Sequence, residues 1–300
     1  MISVKVPATS ANIGPGFDCI GIALNLYNTI SAGECDEGLK IDIQDESRHF
    51  LPRDKRNLVY RAMNAVFSEA GYYPRGIHII QKNEIPVTRG LGSSSASIVG
   101  GMIAANLICQ AKMSKDDIIS FAANFEGHPD NTTPAITGGM AIAVINGDKT
   151  RYQKIEISPD KLKFAVFIPD FILKTKKARS ILPPVVPRED AIFNTARASL
   201  LTAAMITGNY ENLITALDDR LHQQYRKRFI KGIDKIFDIA IQSKALGSYI
   251  SGAGPAVISV ILSSQKEEFL CAAKEYLLHE DMKWDLMMLE PDNFGARIID

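Results

Sequence analysis

The sequence predicts an α+β protein with two domains. Stretches with the two-residue alternation of β-strands and stretches with helical spacing are mixed along the 300 residues, without the regular strand–helix–strand repetition of a doubly wound sheet. With 46% hydrophobic and 23% charged residues, the composition is globular, and the length allows one large domain or two ordinary ones. Two β-prone runs flank the pair Asn146-Gly147, which is a strong hairpin signal. We place a domain boundary shortly after this hairpin, which gives domains 1–155 and 156–300.

The first domain is expected to combine a sheet with helices. Strand-like runs occur in "ISVKVPA", "IALNLYNTISAGE", "IDIQ" and "GIHIIQKNEIPV". The stretch "NLVYRAMNAVFSEAG" repeats apolar residues at helical spacing, with Asn57 in position for an N-cap and Gly71 beyond the end. A later helix, in "SKDDIISFAANFEG", begins with the capping-box pair Ser114 and Asp117. The first half of the chain therefore alternates between strands and helices.

The second domain opens with a strand in "KFAVFIP". Three helical stretches are expected after it, at 188–207, 209–222 and 228–245. A glycine-rich segment, "SYISGAGPAVISVIL", precedes a helix in "SQKEEFLCAAKEYLL" and a strand in "WDLMML". The mixture supports the α+β class for this half as well.

Charge, cysteine content and hydropathy exclude several classes of protein. The formal net charge is zero, so no global positive field favours nucleic acid or an anionic membrane surface. The four cysteines are widely spaced and form no C-x-x-C pair, which argues against a zinc site and a disulfide framework. The N-terminus has no apolar block of signal-peptide length, and "ASIVGGMIAANLIC" is too short to span a bilayer. We expect a cytoplasmic protein without nucleic-acid or membrane partners.

The stretch "PVTRGLGSSSASIVGG", from Pro86 to Gly101, has the composition of a phosphate-binding loop. Gly90 and Gly92 allow backbone conformations that other residues avoid, and they allow close approach to a ligand. Because a helix is expected over 95–111, its unpaired N–H groups would point at an anion. No lysine lies between Gly90 and Ser97, so the stretch is not a Walker A motif. Taken alone, it could equally be an ordinary strand-to-helix turn.

Three further segments carry polar residues that folding does not require. They are "VPATSANIGPGFDCIG", "FEGHPDNTTPAITGG" and "ISGAGPAV", and each alone could be a simple turn. Together with "GLGSSSAS", and in this order, they make the chain resemble the homoserine kinases of the GHMP small-molecule kinase superfamily over essentially its whole length. The resemblance implies an N-terminal domain similar to domain 2 of ribosomal protein S5 and a ferredoxin-like C-terminal domain. It also implies that ATP binds at the domain junction and that the protein is a homodimer.

The resemblance further assigns a role to individual residues. Asn12 and Asp18 stand where mevalonate-type and galactose-type kinases are expected to carry a basic residue and an acidic "GEH"-like stretch, which favours L-homoserine as the substrate. The implied substrate-binding residues are Asn12, Asp18, His128, Thr175, Arg179 and Arg226. The implied ATP-binding residues are Pro86, Val87, Thr88, Arg89, Gly90, Leu91, Gly92, Ser93, Ser94, Ser95 and Ala96. "HQQYRKRF" departs from the family pattern, because it lacks the proline that commonly precedes the Tyr-Arg pair.

Metal binding and catalysis involve a smaller set. Glu126 and Ser94 are the expected Mg²⁺ ligands, with Ser93 or Ser95 as alternatives, because Mg²⁺ prefers hard oxygen ligands. Asn131 and Arg179 are the expected catalytic residues. Asn131 matches the position of an aspartate in mevalonate kinases, and its amide cannot accept a proton, so we expect no dedicated catalytic base.

The predicted reaction is transfer of the γ-phosphoryl group of ATP to the side-chain hydroxyl of L-homoserine. The product would be O-phospho-L-homoserine, a precursor of threonine. Two alternatives remain open at this point: a kinase of the same fold that acts on another small alcohol, and a non-enzymatic sensor built on the kinase fold.

Overall fold

The computed structural model describes residues 1–280 and 282–299, in which two β-sheets are each packed against helices. Strands and helices are mixed along the chain, which confirms the α+β class. None of the helices in these ranges has both the length and the apolar character required to cross a membrane.

The first sheet has seven strands: β1 (Ile2–Asn12), β2 (Gly16–Glu34), β3 (Gly38–Ile43), β4 (Gly76–Asn83), β5 (Met140–Asn146), β6 (Lys149–Ile155) and β11 (Arg297–Ile299). Its main path runs β11-β1-β2-β4-β3, and the hairpin β5-β6 joins it through β2. Only β3 and β4 pair in parallel among these strands. The predicted hairpin at Asn146-Gly147 is confirmed.

Four helices belong to this half: α1 (Leu58–Glu69), α2 (Ser93–Ile108), α3 (Lys115–Glu126) and α4 (Thr132–Thr137). Asn57 caps α1 by accepting a hydrogen bond from the Val59 N–H at 2.9 Å, and the Ser114–Asp117 capping box starts α3, as the sequence predicts. Helix α2 is buried among α1, β1 and β2, because glycines allow close contact: a Cβ at position 100 would lie 2.6 Å from the Ile30 side chain. This packing fixes the N-terminal end of α2.

The second sheet has the strand order β10-β7-β9-β8, all antiparallel. Its strands are β7 (Leu162–Pro169), β8 (Gly247–Ile250), β9 (Val257–Leu262) and β10 (Trp284–Leu289). Its helices are α5 (Thr175–Ser180), α6 (Arg188–Thr207), α7 (Leu213–Ala216), α8 (Gln223–Arg226), α9 (Ile233–Gln242) and α10 (Lys266–His279). Helices connect the first strand to the second and the third to the fourth, which is the ferredoxin-like βαββαβ arrangement that the family resemblance implies.

Two predicted helices are wrong in extent. A continuous helix over 209–222 is absent; the structure has a 3₁₀ turn over Tyr210–Asn212 and then the single turn α7. The Asp219 carboxylate accepts hydrogen bonds from the backbone N–H groups of residues 221, 222 and 223, so these donors are not available to a continuous helix. The helix expected over 228–245 begins only at Ile233, because Gly232 takes a left-handed conformation with φ of 83°.

The predicted boundary near residue 155 falls between β6 and β7, and the assignment of domains 1–155 and 156–300 stays a prediction. One strand crosses this division, because β11 pairs with β1 through Ser3 and Ile299. The last described residues therefore lie in the first sheet.

We predict that Gly21→Ala destabilises the protein. The added Cβ would lie 1.7 Å from the carbonyl oxygen of Asp130, so β2 and the residues before α4 would have to separate. Such overpacking typically costs about 1–3 kcal/mol, and the midpoint of thermal unfolding should fall by several degrees. Gly33→Ala in the same strand is the control, because the nearest atom to its Cβ would be Met1 Cγ at 3.2 Å. Equal midpoints for the two variants would contradict the close contact at Gly21.

Candidate active site

A cavity of about 490 Å³ lies at the junction of the two halves of the chain. Its volume is within the roughly 300–1,000 Å³ of typical small-molecule sites. The walls come from the end of β1 and the start of β2, the loop before α2, the end of α3 and its connection to α4, α5, α8 and the β8–β9 connection, together with residues 51–58 and Gln81 of β4. All of these except residues 51–58 and Gln81 belong to segments in which the sequence places its candidate residues or motifs.

The glycine- and serine-rich loop is held between β1 and the β8–β9 connection. Gly90 and Gly92 have φ values of 81° and 69°, as the sequence predicts, and a Cβ at position 92 would lie 1.9 Å from Thr9 Oγ1. The Thr9 N–H donates to the Leu91 carbonyl at 3.1 Å, and the Ser251 hydroxyl donates to the Gly90 carbonyl at 2.5 Å. Helix α2 begins at Ser93, two residues earlier than predicted, and ends at Ile108. Its N-terminal end, where N–H groups lack intrahelical partners, thus faces the cavity and favours an anion.

Glu126 and Ser95 line the same cavity and form a hydrogen-bonded pair. The Ser95 hydroxyl lies 2.8 Å from each carboxylate oxygen of Glu126, to which it donates. Burial raises the pKa of the Glu126 carboxyl to about 7, against the opposing effects of the charge of His128 and the Ser95 hydrogen bond. Ser94 is exposed on the cavity wall. A half-buried carboxylate beside the Ser95 hydroxyl provides hard oxygen ligands without a neighbouring lysine, and this donor set fits Mg²⁺.

Asp18 and Arg179 form a two-pronged ion pair across the cavity. Arg179 Nη1 lies 2.9 Å from Asp18 Oδ2, and Nη2 lies 2.5 Å from Oδ1. Burial disfavours the charged guanidinium, but the hydrogen bonds and charge of Asp18 outweigh it, so that the pKa of Arg179 is raised. Asn12 fixes the turn that carries Asp18, because its Oδ1 accepts from the Asp18 N–H at 3.0 Å. The cavity therefore has a negative and a positive group side by side.

Arg226 brings a second guanidinium into the same cavity. Its side chain is 1% exposed, and Nη1 donates to the Gly252 carbonyl at 2.7 Å. Burial, with the nearby charge of Arg179, lowers the pKa of Arg226 to about 10. The two guanidinium groups lie 5.3 Å and 5.7 Å from the centre of the Phe17 ring. This arrangement suits an anionic group of a ligand.

His128, Asp130 and Asn131 line the wall between the loop and the ion pair. His128 Nδ1 lies 2.6 Å from Asp130 Oδ1. Burial opposes protonation of His128, but the hydrogen bond and charge of Asp130 raise its pKa. The Thr9 hydroxyl donates to Asn131 Oδ1 at 2.8 Å, which fixes the orientation of the amide. Thr9 lies within the quoted "VPATSAN" segment, but a contact over 122 positions leaves no local signal in the sequence.

The structure brings together all the predicted substrate-binding and metal-binding residues. Thr175 lines the cavity as the exposed first residue of α5, whereas Ala96 is buried inside α2 and does not line it. Several lining residues were not anticipated: Leu51, Pro52, Arg56, Asn57, Leu58, Gln81, Ser97, Gly252 and Ala253. Gly252 and Ala253 belong to the "SGAGP" segment that the sequence singles out, while the residues from Leu51 to Gln81 belong to no recognisable motif.

Comparison with known proteins identifies the family. Residues 57–139 match the family described as the GHMP kinases N terminal domain, and residues 201–277 match the GHMP kinases C terminal family. The chain is 50% identical to a homoserine kinase of Caldicellulosiruptor bescii, over 99% of this chain and 97% of that protein. It is 45% identical to a homoserine kinase of Clostridium botulinum, over 100% and 99%.

A solved structure agrees with these sequence matches. The crystal structure of homoserine kinase from Cytophaga hutchinsonii superimposes with a TM-score of 0.89 at 27% identity, covering 99% of this chain and 97% of that one. Both halves of the chain and the cavity between them are therefore accounted for by a single family. The chain belongs to the GHMP kinases and, within them, to the homoserine kinases.

Proposed function

We infer that the protein is an ATP-dependent homoserine kinase, which converts L-homoserine and ATP to O-phospho-L-homoserine and ADP in threonine biosynthesis. One observation carries the assignment. A loop built for phosphate and a pair of opposite charges, Asp18 and Arg179, line the same cavity. An amino acid with a reactive hydroxyl requires this combination.

We propose that the substrate's charged groups engage the residues that form the ion pair. Asp18 would accept the ammonium group, and Arg179 and Arg226 would bind the carboxylate through charge-assisted hydrogen bonds. Asn12, His128 and Thr175 would contact the remainder of the substrate. The support for this assignment is their common position on the cavity wall.

We propose that residues 86–96 bind the ATP phosphates. Backbone N–H groups at the start of α2 and the serine hydroxyls would bind the phosphate oxygens, in place of a Walker lysine. The apolar lining residues Leu51, Pro52 and Leu58, which the sequence did not anticipate, would suit the nucleotide base.

We propose that Glu126 holds Mg²⁺ together with Ser94 or Ser95. When bound, the ion would neutralise negative charge on the phosphate oxygens, which is where charge is concentrated in phosphoryl transfer. The geometry around Glu126 favours Ser95 as the nearer hydroxyl, while exposed Ser94 is open to the cavity.

We propose that proton removal needs no strong base. In a loose transition state the attacking hydroxyl keeps its proton until late, so the proton can pass to a γ-phosphate oxygen. The Asn131 amide oxygen already accepts from Thr9, and Asp130 Oδ1 is engaged by His128. Asn131 and Arg179 would then act by orienting the reactants.

We also propose a homodimer located in the cytoplasm. The family resemblance supports the homodimer, and a cytoplasmic location agrees with four cysteines that are all free.

The first prediction concerns substrate choice. With Mg-ATP, the purified protein should phosphorylate L-homoserine with a far higher kcat/KM than mevalonate, galactose or D-homoserine. Of these four compounds, only L-homoserine has both an ammonium and a carboxylate group on a carbon of the L configuration. A coupled assay of ADP release measures each rate. A kcat/KM for mevalonate equal to or above that for L-homoserine would refute the assignment.

The second prediction concerns Arg179. Truncating one partner of a buried, hydrogen-bonded charge pair costs about 2–5 kcal/mol, and the proposed pair between Arg179 and the substrate carboxylate would be enclosed in the cavity, so Arg179→Leu should raise the KM for L-homoserine at least tenfold while the KM for ATP changes little. Lys176→Leu is the control, because Lys176 is exposed on the same helix. Equal losses for both substrates in Arg179→Leu would show that Arg179 serves the fold or the nucleotide.

The third prediction tests whether Asp130 acts as a general base, and compares it with Glu126, the proposed metal ligand. General-base catalysis is typically worth about 10²–10⁴-fold, so Asp130→Asn should keep kcat within about tenfold if no base is used. Glu126→Gln should lose more, because it weakens the Mg²⁺ site. Asp148→Asn, exposed in the β5–β6 hairpin, is the control. A thousandfold loss in Asp130→Asn, with unchanged KM values and fold, would identify Asp130, or the His128 that it binds, as the proton acceptor.

A further inference from the structure

Arg226 is held in an unusual way for a residue that binds substrate. It lies at the end of α8, which has only four residues, and yet its guanidinium is almost fully buried. Nη1 makes two contacts, with the Gly252 carbonyl at 2.7 Å and with Nδ1 of His222 at 3.1 Å. Nε is buried and has no hydrogen-bond partner among the described residues. The Nη1 side of the guanidinium is thus fixed by the protein, and Arg226 as a residue lines the cavity.

The two ring nitrogens of His222 must differ in protonation, because one has an acceptor as its partner and the other has a donor. Nε2 lies 2.8 Å from the Gly14 carbonyl oxygen, which can only accept a hydrogen bond, so Nε2 carries the proton. The guanidinium of Arg226 can only donate, so Nδ1 must offer a lone pair. Only the neutral Nε2–H form of the imidazole satisfies both contacts. Complete burial, which lowers the pKa of His222 to about 4, agrees with the neutral form.

The position of His222 is itself fixed from two sides. The Asp219 carboxylate accepts from the backbone N–H groups of His222 and Gln223, at 2.9 Å and 2.7 Å, and thereby orients the start of α8. The imidazole stacks on the Phe17 ring at 5.3 Å with an interplanar angle of 24°. Phe17 is also the ring beside both guanidinium groups. His222 is therefore a rigid acceptor for Arg226.

We propose that His222 is a positioning residue that fixes the Arg226 guanidinium for the substrate's carboxylate, through a lone pair on Nδ1. This inference rests on the proposed function, in which Arg226 binds the carboxylate of L-homoserine. His222 does not touch the substrate and takes no part in the chemistry. Its loss therefore affects the KM for the amino acid, because Arg226 binds the carboxylate equally in the ground state and the transition state.

Two substitutions test the contacts of the two ring nitrogens of His222 separately. Asparagine can place its amide oxygen near the position of Nδ1, and so keeps an acceptor for Arg226 but loses the contact with Gly14. Glutamine reaches the position of Nε2, and so keeps a donor to Gly14 but loses the acceptor. His222→Gln should raise the KM for L-homoserine at least tenfold, while His222→Asn should raise it less than threefold. The KM for ATP should stay within twofold in both. His279→Gln, at an exposed histidine, is the control.

Equal KM values for L-homoserine in the two variants, or equal changes for ATP and L-homoserine, would overturn the proposal, because a merely structural role would not distinguish the nitrogens. Thermal unfolding midpoints of both variants check that the comparison is between folded proteins. The wild-type reaction with L-homoserine is measured first, because its failure would refute the proposed function and leave the arrangement of His222 to be decided separately.

A spectroscopic measurement decides that arrangement without activity and without a variant of His222. In ¹⁵N NMR spectra of histidine-labelled wild-type protein, His222 should show a protonated Nε2 and an unprotonated Nδ1 throughout the neutral pH range. Single substitutions of the other four histidines assign the signals. A protonated Nδ1, or a titration near neutral pH, would exclude the lone-pair contact with Arg226 and overturn the proposal.

Discussion

The carbonyl group of Gly252 joins the two halves of the cavity. It accepts hydrogen bonds from Asn12 of the first sheet at 2.8 Å and from Arg226 at 2.7 Å, while the Gly252 N–H donates to the Ala11 carbonyl at 3.0 Å. The neighbouring Ser251 hydroxyl donates to the Gly90 carbonyl of the phosphate loop. A single turn between β8 and β9 thus fixes the glycine- and serine-rich loop relative to Asn12 and Arg226, which are two of the residues proposed to bind the amino acid. Because phosphoryl transfer depends mainly on positioning, this turn is as important as the residues that would touch the reactants.

The charged groups that line the site are not apparent from the net charge of the whole chain. Lysine plus arginine and aspartate plus glutamate both number 34, so the formal net charge is zero. Among the described lining residues, however, Arg89, Arg179 and Arg226 lie with Asp18, Glu126 and Asp130, whereas Arg56 is exposed and paired with Asp54. Nucleotide phosphates and a substrate carboxylate would meet three guanidinium groups inside the cavity, where charges interact more strongly than in water.

Short-range features of the fold could be predicted from the sequence, and long-range contacts could not. The Asn57 cap, the Ser114–Asp117 capping box and the left-handed glycines of the loop depend on a few neighbouring residues, and all were predicted. The break in the predicted helix near 217–222 could not be predicted, because an aspartate such as Asp219 is also common on the surface of helices. Its hydrogen bonds with three backbone N–H groups depend on the surrounding packing. Likewise, the site residues found through quoted motifs, apart from Ala96, line the cavity, whereas Leu51 and Gln81, which belong to no motif, reach it only through the fold.

The pairing of β11 with β1 has a consequence for how the chain acquires its structure. Ser3 and Ile299 are partners across nearly the whole length of the sequence, and the entire second sheet is formed by the chain between them. During synthesis, β1 therefore keeps an open edge until the last strand emerges, and such edges are prone to pair with other chains. A fragment that stops after β6 would keep that edge permanently. The second sheet is in effect inserted into the first, so the first sheet is complete only when β11 has been made.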